Sequence, residues 1–394
     1  MTCWSAVVVA SFAFGMFIAH YRYWPLHQIS YLKQYINWET GLLPRSWPDK
    51  QLLAEVDFDQ LIQVRDAAAV ASKRAQLRDY IWGRDQPHSR SRPIQPPSAE
   101  ALSYLGMAMG VPDLSLVVDG RYGYRGEAFV WFAKTKSDCL FVYAQGHGKE
   151  LLNANHRNER QLLKEVLTGG CDILVVSMPL LGVTQKALRA TTRFGPLVAQ
   201  THDDLAYLEA DDFNPLSLFF VHIRAAIDEL QSVGKYHRIT MAGLSGGGWT
   251  TTVYAAIDPR VNASVSVAGS LPVMFRLLDQ RNDGDWEQRN GGLLKIADYL
   301  DLYVLGAAGN RRAELVYNYN DVCCFGGNAA LAFEPALIRA VKRLNGQVGV
   351  TVDDTSFGHA MSVLTTKRIA SIALSGPTRD SPVDSEIEDY VATK

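Results

Sequence analysis

The chain has 394 residues, with 39 Lys and Arg against 41 Asp and Glu, a net charge of −2. That near-balance excludes a strongly basic nucleic-acid-binding face and a polyanionic tail protein. Apolar residues make up 47% and charged residues 20%, which is globular and excludes general disorder and a polytopic membrane protein. The length gives a prior of two to three domains, although α/β folds run longer as one. Five cysteines, Cys3, Cys139, Cys171, Cys323 and Cys324, are too few for a disulfide scaffold. Cys323 and Cys324 are sequence neighbours, which rarely bridge to each other. With no Cys-x-x-Cys, a thiolate zinc site is not expected.

The first element is an unbroken apolar run over 3–19, and no charged side chain precedes Arg22. It sits at the low edge of a membrane-spanning length and lacks the basic start of a signal peptide. Residues 1–20 are therefore expected to be an uncleaved anchor or an exported signal. Arg22 and Lys33 place the following segment on the cytoplasmic side as one topology. Residues 51–82 predict a helix, with Leu53, Val56, Leu61, Val64, Leu77 and Ile81 at helical spacing. The stretch 87–98, PHSRSRPIQPPS, is linker chemistry. Residues 21–104 thus form a helical N-terminal segment and linker.

From residue 114 a regular alternation begins. Strands are expected at 114–118, 127–133, 139–143, 172–177, 237–242, 263–268, 314–319 and 347–352. Helices are expected at 157–168, 215–233, 249–257 and 328–344. Strands alternating with helices make a mostly parallel sheet of about eight strands, covered on both faces. The first two strands are joined too tightly for a parallel crossover and predict an antiparallel hairpin. About 45 residues separate the sixth and seventh strands, so 269–312 predicts a small helical cap. Its Phe275, Leu277, Leu278 and Trp286 suggest a partly apolar site or simply core. Residues 376–394 read as a polar disordered tail.

Three motifs carry chemistry. Gly243-Leu244-Ser245-Gly246-Gly247 fits Gly-x-Ser-x-Gly, a weak pattern alone. Here it ends a strand and opens a helix, the setting of a nucleophile elbow. The helix N-terminus favours negative charge beside the serine. A base must follow in the order Ser, acid, His. Eight of the nine histidines precede Ser245, and only His359 follows it, in the loop after the last strand. The acid should follow the strand 314–319, where Asp321 stands. Glu314 begins that strand and Glu334 falls in the next helix. Asp353 and Asp354 are close enough to order the His359 loop instead. The oxyanion donors should be the amide of Gly246 and one from Gln145-Gly146-His147-Gly148, with His147 first and Gly148 next. No His or carboxylate stands at ligand spacing from His147, so no metal is expected there. His202-Asp203-Asp204 reads as a helix cap with a surface resemblance to a metal cluster.

In the order and spacing of YAQGHG, GLSGGGWTT, YNYNDVCCF and SFGHAMS, residues 105–375 resemble the α/β-hydrolase superfamily, near its acetyl xylan esterase and dienelactone-hydrolase types. The resemblance implies nucleophile Ser245, acid Asp321, base His359 and oxyanion amides at Gly246 and His147. QGHG departs from the plain His-Gly pair of many members.

The expected function is a serine esterase working through an acyl-enzyme on a small-molecule or sugar ester, with no cofactor. A serine peptidase, an acyltransferase with the same triad, or a non-catalytic binder on this fold are the alternatives. Ester and amide assays, product analysis and the presence of all three triad members separate them.

Overall fold

The computed structural model describes residues 55–83, 109–135, 138–148, 157–184, 187–234, 236–276, 284–321, 323–356 and 358–375. These fall within one compact unit, Pro48–Lys394. The apolar run at 3–19, the linker at 87–98 and the tail at 376–394 lie outside the described residues. Among the described residues, no helix is long and apolar enough to cross a membrane.

The chain starts with helices α1 (Phe58–Leu61) and α2 (Ala67–Trp82). The helix expected over 51–82 is thus two. Asp57 and Asp66 each cap the helix that follows, and Ile62 leaves α1 in an extended conformation. Strands β1 (Leu114–Asp119), β2 (Arg125–Trp131) and β3 (Cys139–Ala144) follow, then α3 (Arg157–Thr168) and β4 (Asp172–Val176). A small hairpin of β5 (Leu188–Thr192) and β6 (Gly195–Ala199) was not expected. Next come α4 (His202–Leu205), α5 (Ser217–Val233), β7 (Arg238–Leu244), α6 (Gly246–Ile257) and β8 (Ala263–Val267). The stretch expected to cap the sheet holds α7 (Val273–Arg276), α8 (Gly291–Ile296) and α9 (Tyr299–Ala307). The chain closes with β9 (Arg312–Asn318), α10 (Glu334–Arg343), β10 (Gln347–Asp353) and α11 (Val363–Ser375).

The main sheet has eight strands in the order β1-β2-β4-β3-β7-β8-β9-β10. As the short turn requires, β1 and β2 are antiparallel, with Leu114 opposite Val130, and β2 is antiparallel to β4. The remaining pairs are parallel. Every residue of β3, β4, β8 and β9 is buried, and β3 and most of β4 accordingly read as continuous apolar runs.

Alternate residues of each strand feed two cores. Leu140, Val142, Leu174 and Met241 meet α2, α5, α6, α9 and α10 on one face. Phe141, Tyr143, Ile173, Val175 and Ala242 meet α3 and α11 on the other. All nine residues of α9 are buried, so it is a layer helix of the β8–β9 crossover. Phe275, a candidate for an apolar substrate site, is instead core: it stacks on Phe58 at 6.1 Å and packs on Phe333 at 5.7 Å. Leu277 and Leu278 lie outside the described residues, and Trp286 is partly buried against the same core.

Two cross-links occur among the described residues. Cys139 at the start of β3 is bonded to Cys171 just before β4. Cys323 is bonded to Cys324, contrary to the expectation that neighbours stay unbridged. The far end of α6 is held by three arginines. Its last carbonyls have no intrahelical partner. Arg311 donates to Ala255 at 2.8 Å, Arg74 to Ala256 at 2.9 Å and Arg78 to Ile257 at 2.7 Å.

Candidate active site

Parallel strands deliver their following loops to one edge of the sheet, where ligands of open α/β folds bind. Ser245 follows β7, Asp321 lies just past β9, His359 follows β10, and His147 lies just past β3.

Ser245 stands at the sharp turn between β7 and α6 with φ +60° and ψ −128°. A non-glycine residue there holds about 1–3 kcal/mol of backbone strain. Neighbours hold it: its amide donates to Val267 O at 2.9 Å and its carbonyl accepts from Trp249 N at 3.0 Å. A side chain at Gly247 would run into the Ala144 carbonyl, so β3 and α6 can approach only without one. A Cβ on Gly146 would sit 3.0 Å from Ser245 Cβ and 3.2 Å from Gly246 N. The loop after β3 therefore lies directly against the elbow, at the positive end of α6. Thr250, Thr251 and Thr252 turn their hydroxyls back onto the Gly246, Gly247 and Gly248 carbonyls, at 2.9, 2.8 and 3.1 Å.

Asp321 and His359 meet because β9 and β10 are neighbours. His359 Nδ1 lies 2.6 Å from Asp321 Oδ2, and the Asp321 side chain is fully buried. The other carboxylate oxygen accepts from the amides of Cys323 at 2.8 Å and Cys324 at 3.1 Å. An ionised Asp321 thus fixes the proton on Nδ1 and leaves Nε2 a lone pair. Nε2 is buried and has no hydrogen-bond partner. Among the described residues no hydrogen bond joins it to Ser245 Oγ. Strand β8 separates β7 from β9, so the serine and the acid stand two strands apart, about 10 Å at the sheet.

The His359 loop is braced by two residues the sequence did not mark, Asn318 and Ser356, and by Asp353, which it did. Asn318 Nδ2 donates to Gly358 O at 3.0 Å and Ala360 O at 2.8 Å. Ser356 Oγ donates to Ala360 O at 2.9 Å. Asp353 takes the hydroxyls of Thr355 and Thr365, each at 2.6 Å, which orders the loop as expected of it. Glu314 is tied up with Arg312 at 2.9 Å and Arg368 at 3.0 Å, away from the histidine. A cavity of about 500 Å³ borders this loop, lined by Asn158, Thr355, Ser356, Ala360, Met361 and Val363.

A second cluster adjoins the elbow. His147 Nε2 lies 2.6 Å from Asp285 Oδ2 and 3.2 Å from His202 Nδ1. His202 Nδ1 lies 3.1 Å from Glu287 Oε1, and its Nε2 meets Pro179 O at 2.9 Å. Burial works against charge on His202, but Glu287, the Pro179 carbonyl and Asp285 outweigh it and raise its pKa. His147 beside Asp285 lowers the carboxyl's pKa despite partial burial. The expectation that His147 has no ligand-like partner fails because His202, Asp285 and Glu287 come from distant segments. The His202-Asp203-Asp204 reading also needs correction. Thr201 is the cap of α4, in a capping box with Asp204. Asp203 reaches Trp286 N at 3.0 Å and Arg289 at 3.1 Å.

His359 also stands near Cys323 and Cys324. Bonded to each other, those sulfurs are not thiolates and are poor metal donors.

Sheet order and site edge together define an α/β-hydrolase fold. Among solved structures, the chain is similar to an acetyl xylan esterase from Paenibacillus sp. R4, at 15% identity and a TM-score of 0.50, over 84% of this chain and 99% of that one. It is also similar to a methylesterase, at 14% identity and a TM-score of 0.55, over 81% of this chain and 66% of that one. Neither a family model nor a curated protein matches the sequence.

Proposed function

We propose that this protein is a serine hydrolase that cleaves carboxylic esters by two-step acyl transfer. Ser245 is the nucleophile, His359 the general base and Asp321 the acid that orients it. The observation that carries the reading is the 2.6 Å contact between His359 Nδ1 and the buried Asp321, on the sheet edge that also carries Ser245, a strained serine at a helix N-terminus. His359 Nε2 takes the serine proton as Oγ attacks the ester carbonyl. The oxyanion rests on the amides of Gly246 and His147, with Gly148 the other donor from that loop. His359 then passes its proton to the leaving alcohol and activates water to release the acid. Catalytic hydrogen bonds often tighten only once substrate is bound, so an unmade Ser245–His359 bond is compatible with this cycle.

The two neighbours named above are esterases, which supports an ester, including an acetylated sugar, over an amide. A panel of nitrophenyl esters, acetylated sugars and peptide amides tests this. Ester turnover that vanishes in Ser245→Ala, with fluorophosphonate labelling of the wild type alone, is expected. Faster amide cleavage would make the protein a peptidase. An ester product formed with an added alcohol in preference to water would make it an acyltransferase. Activity within a few-fold of wild type in Ser245→Ala would end the serine-hydrolase reading.

The apolar run over 3–19 supports membrane attachment or export, with the catalytic unit following it. Fractionation of the chain with and without residues 1–20 tests it, and an intact, uncleaved, soluble full-length chain would refute it.

A further inference from the structure

We propose that His147, His202, Asp285 and Glu287 form a zinc-type metal site beside the elbow. The four donor atoms all lie within 4.8 Å of one another. Their closest separations are 2.6, 3.1, 3.2 and 3.9 Å. Ligands at about 2.0–2.1 Å around a tetrahedral zinc ion are about 3.3 Å apart, so the 3.1 and 3.2 Å separations already match such a shell, while Asp285 must draw back slightly from His147 and move closer to His202.

Two further observations point to a cation. His202 Nε2 faces only the Pro179 carbonyl at 2.9 Å, which requires a proton on that nitrogen. In a neutral imidazole the Nδ1 lone pair then points at the cluster, as a metal ligand's must, with the carbonyl as the outer partner that fixes the tautomer. Glu287 is fully buried, yet its Oε2 has no hydrogen-bond partner. A buried carboxylate oxygen left unpaired is costly, and a divalent ion bound through one or both oxygens removes that cost. Two neutral imidazoles and two carboxylates carry a charge of −2 that such an ion neutralises.

The donor set selects the metal class. Two imidazole nitrogens with two carboxylates suit zinc and its borderline neighbours, whereas calcium and magnesium take all-oxygen shells. Asp203 braces the shell from outside by holding Trp286 N and Arg289, which fixes the turn that carries Asp285 and Glu287. The ion would tie three distant segments together at the loop after β3. Its role is to position that loop, and nothing routes the ester chemistry through it.

The test uses the untagged full-length chain, stripped with a chelator and titrated with zinc or cobalt(II). One equivalent per chain is expected, with the visible bands of tetrahedral cobalt(II), no sulfur charge-transfer band, and a higher melting temperature on zinc addition. Glu287→Gln and Asp285→Asn should each weaken binding at least a hundredfold, and Asp203→Ala, which frees the turn carrying them, should weaken it less. Asp285 is partly exposed, so its variant keeps the test valid should Glu287→Gln misfold. No stoichiometric binding by a cooperatively folded wild type overturns the proposal. So does equal binding by wild type and Asp285→Asn, or a sulfur charge-transfer band that disappears on replacing Cys323 and Cys324. All these readouts are independent of ester turnover, so the site can fail while the hydrolase reading stands.

Discussion

Asp321 holds His359 from a position 38 residues earlier in the chain, with 2.6 Å between carboxylate and imidazole. Only the adjacency of β9 and β10 makes the pair, and the amides of Cys323 and Cys324 keep the carboxylate aimed. Asp321→Asn should therefore cut kcat strongly, toward the about 10⁴-fold seen for this change in the trypsin-type template. Glu334→Gln and Asp354→Asn should cost far less, the first lying on α10 and neither being the carboxylate that meets His359 Nδ1. Steady-state kinetics of the three variants decide it. If Asp354→Asn is the crippled one, the acid has been misassigned.

In the proposed cycle Asn318 positions His359. Its side chain holds the carbonyls on both sides of His359. Asn318→Ala should lower kcat by up to about a hundredfold through misplacement of the imidazole, with KM little changed. Recovery with Asn318→Asp is not expected, because a carboxylate cannot donate to two carbonyls. An unchanged kcat would show that Ser356 alone suffices.

Two buried groups give opposed pH dependences. Burial pushes His222 down to about 4, from 6.5 when exposed. Between pH 6.5 and 4 the unfolded chain binds the extra proton, so this group's stabilisation is lost as pH falls, about 3 kcal/mol in all. Burial pushes Glu159 up to about 7, from 4.5. Between pH 4.5 and 7 the folded chain holds the extra proton, so stability falls as pH rises, by a similar amount of about 3 kcal/mol. The two offset each other between pH 4.5 and 6.5. Glu159→Gln should therefore unfold more easily on acidification through that window, and His222→Phe on alkalinisation. Urea midpoints measured across it check both signs. Parallel behaviour of both variants and wild type would refute the assignment.

The Cys139–Cys171 bond spans 32 residues and should stabilise the fold by about 3–4 kcal/mol through the unfolded state. The Cys323–Cys324 bond closes almost no loop and should contribute little. Denaturation of wild type and of Cys139→Ala/Cys171→Ala, with and without reductant, separates them. A reductant-sensitive midpoint in the double variant would reverse the attribution.

Strands β3 and β4 were legible because burial on both faces writes them as near-unbroken apolar runs, and the elbow because glycine crowding has a local signature. The hairpin β5–β6 was not: Arg189, Thr191 and Pro196 carry little apolar signal on a half-exposed ribbon. Helix α9 fell inside the expected helical cap, but its own bounds were not legible, since a helix buried all round shows no helical period. The break between α1 and α2 is foreshadowed only by Asp66, a cap in the middle of an apparent helix. The histidine–carboxylate cluster escaped a search for local spacing because His202 lies 55 residues from His147 and 85 from Glu287. Asn318 reads as one more apolar strand's polar end until the loop it braces is seen.

The arginines at the end of α6 have a reach that their place in the fold does not advertise. That helix spans 12 residues, about 18 Å, and Ser245 is the residue at its other tip. A helix is stiff along its axis, so whatever anchors one end sets the height of the other. Arg74 and Arg78 belong to α2, well before the sheet begins. Helix α2 thus acts as a tailstock for Ser245, and a boundary drawn at the first strand would cut through part of what keeps that serine in place.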